Sequence, residues 1–112
     1  MDLSQVAIRH ERTGTTLSVH LIGELDAANV ETLSDRVLPL LDRADRTMVL
    51  DLSGVTFCGS AGLSLFIRLH NAACAQGGDL VICSPTDAVL RTIRLCRLDD
   101  VLTVVPALPA PT

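Results

Sequence analysis

The chain has 112 residues, 48% of them apolar, and a formal charge of −4. That is one domain with a single modest core, too apolar to stay disordered. Two Phe, no Trp, no Tyr and a net negative charge argue against a base-stacking surface and against direct nucleic-acid binding.

No basic segment followed by an apolar run opens the chain. No apolar stretch reaches the roughly 18–20 residues of a membrane span. The expectation is a cytoplasmic protein without membrane insertion. The four cysteines (58, 74, 83, 96) form no Cys-x-x-Cys pair, and the three histidines (10, 20, 70) are equally scattered. They are expected as small core residues of a reduced protein, with no metal site and no cofactor.

Residues 3–12 and 15–25 are predicted strands, because Val6 and Ile8, then Leu17, Val19 and Leu21, alternate with polar neighbours. Thr13-Gly14 is a turn signal, so the two form an antiparallel hairpin. Gly23-Glu24-Leu25-Asp26 ends the second strand, and Asp26 or Asn29 is the expected cap of the helix that follows. Val30, Leu33, Val37, Leu40 and Leu41 recur at helical spacing, with a kink or early end expected at Pro39. The apolar run 47–52 is a strand buried on both faces, broken by Ser53-Gly54.

A second helix is predicted from Ser60 to Gln76, stopped by Gly77-Gly78. Asp79 to Cys83 is a fourth strand. Ser84 or Thr86 caps a third helix with Pro85 in its first turn, and Val89, Leu90, Ile93 and Cys96 make its apolar face. Leu98-Asp99-Asp100 leads to a last short strand, 101–105. The expected organisation is one domain over 1–105 and a Pro-rich flexible tail over 106–112. Alternating strands and helices after a hairpin imply an α/β fold: a small mixed, mostly parallel sheet of about five strands with about three helices largely on one face.

The candidate site is the junction Cys58-Gly59-Ser60-Ala61-Gly62-Leu63. A serine between strand and helix is either a helix cap or a reactive hydroxyl, and spacing alone leaves both open. A nucleophile elbow needs glycine two before the serine, where Cys58 stands, and a phosphate loop needs Gly-Lys-Ser/Thr. The nearest candidate base, His70, lies roughly 15 Å along the helix at 1.5 Å per residue. No catalytic residue is assigned and no enzyme activity is expected. A phosphate on Ser60 suits a helix start, which carries free N–H groups and partial positive charge. Helix two is apolar on more than one side, which fits packing between the sheet and helix three. Leu63 and Ile67, one turn apart, are candidates for a patch beside Ser60. Arg91, Arg94 and Arg97 read as a solvated face.

Asp51-Leu52-Ser53-Gly54-Val55-Thr56-Phe57 followed by Ser60-Ala61-Gly62-Leu63 resembles the signature of STAS domains, and more narrowly of stand-alone anti-sigma factor antagonists. The likeness extends to Gly23-Glu24-Leu25-Asp26, Gly77-Gly78-Asp79-Leu80-Val81 and Leu95-Cys96-Arg97-Leu98-Asp99, over about residues 4–105. It implies a binding module that engages an anti-sigma factor with serine kinase activity and so frees a sigma factor. The kinase would phosphorylate Ser60 to end binding, and a phosphatase would reverse it. The implied partner surface is Glu24, Leu25, Asp26, Gly59, Ser60, Ala61, Gly62, Leu63 and Ile67. Gly59 stands where the family has Asp, and Ala61 where it often has serine. The alternative is a STAS adaptor subunit of a membrane transport complex, without phosphorylation.

Overall fold

The computed structural model describes residues 6–43 and 46–107. Strand β1 (Ala7–Thr13) pairs antiparallel with β2 (Thr16–Leu25) across the Thr13-Gly14 turn. β3 (Thr47–Cys58), β4 (Asp79–Cys83) and β5 (Thr103–Val105) then add in parallel, giving one five-stranded sheet in the order β1-β2-β3-β4-β5. Each parallel step is bridged by a helix: α1 (Val30–Val37), α2 (Ser60–Ala75) and α3 (Asp87–Leu95). Residues 3–5 of the expected first strand and 108–112 of the expected tail lie outside the described residues.

Strand periodicity divides the sheet into two faces. Leu17, Val19 and Leu21 of β2, Met48, Leu50 and Leu52 of β3, and Leu80 and Ile82 of β4 point to one side. There they form one core with Val30, Leu33 and Val37 of α1, Leu65, Phe66 and Leu69 of α2, and Val89 and Ile93 of α3. All three helices therefore cover the same face. On the other face Arg9, His20, Asp51, Cys83 and Val105 stand in register across the five strands.

Several sequence expectations hold and some need correction. α1 ends at Val37, and the chain tightens into a 3-10 stretch over Leu38–Arg43, as Pro39 requires. Thr86 is the cap of α3, its hydroxyl accepting from Val89 N at 3.4 Å. Pro85 precedes that cap rather than sitting in the first turn. α2 stops in the expected place. Gly77 (φ +78) and Gly78 donate to the carbonyls of Cys74 and Ala73, a hydrogen-bonded pair that satisfies the last turn.

The break at Ser53-Gly54 does not occur. β3 runs on to Cys58, with register shifts against β2 between His20 and Ile22 and between Gly23 and Glu24. Gly54 is needed inside the strand because a Cβ there would lie 2.9 Å from Ile22 Cγ1. The glycine answers a cross-strand neighbour and marks no turn. Besides the sheet, α2 meets α1 and the 3-10 stretch. Arg68 on α2 donates to Ser34 Oγ of α1 at 2.8 Å. Only Cys58 and Cys83 are core residues; Cys74 and Cys96 are exposed, and all four are free.

Candidate partner-binding site

β3 delivers the chain to the start of α2 through one extended residue, Gly59 (φ −83, ψ −173). Its N–H donates to the Leu25 carbonyl at 3.0 Å, which ties the junction to the end of β2. Its own carbonyl accepts from Gly62 N and Leu63 N at 3.0 and 3.2 Å. Gly59 is thus the N-cap residue, and it has no side chain with which to cap. Ser60 is the first helical residue, so the reading of Ser60 as the cap is incorrect. Its side chain is exposed and makes no hydrogen bond to any described residue. The hydroxyl stands in solvent where the first N–H groups of α2 leave partial positive charge.

The anchors beneath this serine are rigid. Cys58 is buried, and burial pushes its thiol from the ordinary 9.0 up to about 12, so it stays protonated. Gly62 is packed against it: a Cβ there would lie 2.6 Å from Cys58 Sγ and 3.0 Å from Leu25 Cβ. The register Leu25↔Cys58 and Glu24↔Phe57 sets the loop after β2 beside the start of α2. That loop is held by its own side chains. Asp26 Oδ1 accepts from Ala28 N at 2.9 Å, Asn29 Oδ1 from Asp26 N at 3.1 Å, and Asn29 Nδ2 donates to the Glu24 carbonyl at 2.7 Å. Asn29 holds the N-cap position of α1 without a side-chain cap bond, and Asp26 makes a local turn. The expected capping by either side chain is therefore corrected to loop fastening.

Of the residues expected at a partner surface, Ser60 and Glu24 are exposed, and Asp26, Gly59, Ala61 and Ile67 are half-buried. Leu25, Gly62 and Leu63 are buried, so the two leucine side chains belong to the core and Gly62 offers no side chain to a partner. Phe57 was not singled out from the sequence, yet it is 49% exposed while the other Phe, Phe66, is fully buried. Its place in an apolar run hid it; the signal was its position outside the inward pair Val55 and Cys58. Arg91, Arg94 and Arg97 are exposed on or just past α3, as a solvated face should be.

One buried charge lies on the helix-free face. Asp51 is 7% exposed; its Oδ1 accepts from Ser53 N at 2.8 Å and its Oδ2 lies 3.2 Å from His20 Nδ1. Both carboxylate oxygens are engaged, which makes Asp51 a fastener for the continuation of β3. Burial and the Asp51 carboxylate together raise the Cys83 thiol above its ordinary value. Among the described residues, no helix is long and apolar enough to cross a membrane.

Comparison with known proteins agrees with this architecture. The chain is 32% identical over 90 residues to the anti-sigma-F factor antagonist RsfA of Mycobacterium tuberculosis, covering 79% of this chain and 70% of that one. The crystal structure of an anti-sigma factor antagonist from Mycobacterium paratuberculosis superposes with a TM-score of 0.85 at 23% identity, covering 96% of this chain and 91% of the other. The Bacillus cell fate determinant SpoIIAA, solved in its phosphorylated form, superposes at 0.66 with 21% identity over 88% of this chain and 90% of its own. A family model for the STAS domain matches residues 7–110. With that match over nearly the whole chain, and with the sheet order and helix placement found here, the chain belongs to the STAS domain family.

Proposed function

We propose that the protein is an anti-sigma factor antagonist that works by partner switching. In its unmodified form it binds an anti-sigma factor with serine kinase activity. That kinase then phosphorylates Ser60 and so ends the contact, and a phosphatase restores it. The domain is substrate and binding module, with no catalysis of its own. The observation that carries the reading is the Ser60 hydroxyl: exposed, without a hydrogen bond to any described residue, and held at the first position of α2 by Gly59 and the buried Cys58. The relatives lend support, since RsfA is named as an antagonist of an anti-sigma factor and SpoIIAA has been solved in a phosphorylated form.

The physical consequence is a switch of surface charge rather than of fold. A phosphoserine adds about −1.5 to −2 charge at neutral pH. At a helix N-terminus that charge is favoured by the dipole. A partner packed against α2 would have to desolvate it. Glu24, exposed beside the same junction, adds charge of the same sign.

The test is capture of partners from extracts of the producing cells, with wild type and Ser60→Glu side by side. Recovery of a serine-kinase anti-sigma protein by wild type alone is the expected result. Equal recovery of transport-complex subunits by both would replace this reading with that of an adaptor.

A further inference from the structure

A groove of about 540 Å³ opens on the helix-free face of the sheet and shares no residue with the Ser60 junction. Small-molecule sites span roughly 300–1,000 Å³. Three strands build it: β1 supplies Arg9 and Glu11, β2 His20 and Ile22, and β3 Asp51. Asp51 is buried, and its Oδ2 lies 3.2 Å from His20 Nδ1. A carboxylate only accepts, so the hydrogen of the neutral imidazole sits on Nδ1 and Nε2 is left as an acceptor of fixed direction. Nε2 bonds to no described residue. Arg9 stands directly opposite His20 in the register, exposed and in no ion pair among the described residues. Ile22, 39% exposed, adds an apolar wall. Fastening β3 needs only the bond from Ser53 N to Asp51. It accounts for neither the oriented Nε2 nor the unpaired guanidinium beside it.

We infer that this groove binds a small aliphatic hydroxy acid: Arg9 takes its carboxylate, His20 Nε2 accepts from its hydroxyl, and its carbon chain lies on Ile22. A guanidinium fork matches a carboxylate with two parallel hydrogen bonds. A hydroxyl is the donor that the fixed acceptor on His20 calls for. Side chains directly opposite on one face start about 5 Å apart, which suits a carboxylate and a hydroxyl one or two carbons from each other. Glu11 lines the same groove and repels a second negative charge, so a monocarboxylate is favoured over a phosphate. Asp51 does not touch the ligand; it positions His20. The site stands independently of the partner-switching reading.

The experiment is a heteronuclear NMR titration of the full chain with 3-hydroxybutyrate, run beside butyrate and inorganic phosphate. Saturable shifts at the amides of Arg9, His20 and Ile22 are expected, with a Kd of about 1 mM for so small a ligand. Butyrate lacks the hydroxyl and should bind tenfold or more weakly; phosphate should not saturate. Arg9 sits on the edge strand, so Arg9→Gln should melt as wild type does while weakening 3-hydroxybutyrate tenfold or more. His20→Gln should bring 3-hydroxybutyrate down to the level of butyrate, because the oriented acceptor is gone. Shifts that do not saturate, equal affinity for butyrate, or phosphate binding as tight as 3-hydroxybutyrate overturns the inference. Unchanged affinity in a folded Arg9→Gln does the same. The three probes on wild type decide the matter even if neither variant folds.

Discussion

Gly62→Ala probes how tightly the Ser60 junction is seated. A Cβ at position 62 would lie 2.6 Å from Cys58 Sγ and 3.0 Å from Leu25 Cβ, both in the buried core. Neither neighbour yields easily: Leu25 Cβ is fixed to the backbone of β2, and Cys58 is packed at the end of β3. Overpacking of this kind costs about 1–3 kcal/mol. Alanine returns up to about 1 kcal/mol of helix propensity, and less in a first turn. The steric term wins, and the net loss is about 1–2 kcal/mol. For a domain of this size that is a fall of roughly 5–15 °C in melting temperature.

Circular dichroism melts give the direct reading. Gly59→Ala is the internal control, since its new Cβ meets nothing closer than 3.4 Å at an ordinary φ of −83. It should melt close to wild type. Combining Gly62→Ala with Cys58→Ala removes the shorter contact, so the cost of the glycine change should shrink in that background. A Gly62→Ala protein that melts at or above wild type would refute the packing argument, and with it the claim that Ser60 sits on a rigid base.

Three further outcomes follow from other parts of the molecule. Thr86→Ala should lose about 1–2 kcal/mol in urea denaturation, because the hydroxyl both caps Val89 N and donates to the Val55 carbonyl at 3.1 Å; Thr86→Ser should recover most of it. Native alkylation followed by mass spectrometry should label Cys74 and Cys96 and spare Cys58 and Cys83, whose thiols are buried and hard to ionise. Burial raises the folded-state value of Cys58 from 9.0 to about 12, so the folded chain holds its proton more tightly than the unfolded one; stability should be complete below pH 9 and fall as pH rises toward 12, to be read in melts across that range with a Cys58→Ala comparison.

The alternation of strands and helices and the stop at Gly77 are local matters of spacing, propensity and backbone angle, and the sequence by itself determined them; it narrowed the cap of α3 to Ser84 or Thr86, and the structure selects Thr86. The signature around Ser60 was equally legible, down to the family it indicated. Other features depend on what lies across the sheet. β3 continues through Ser53-Gly54 because the next strand supplies Ile22 to fill the space over the glycine and because Asp51 fastens Ser53. No periodicity along one strand carries that information. In the same way Leu25, Leu63 and Phe57 are all large apolar residues close to the Ser60 junction, yet two are buried and one is exposed. Which of them faces a helix was decided by strand register and by all three helices packing on one side of the sheet. The tertiary structure also settled the cap: Gly59 is held to Leu25 by a backbone bond from another strand, and that contact places the helix start at Ser60 and leaves its hydroxyl in solvent.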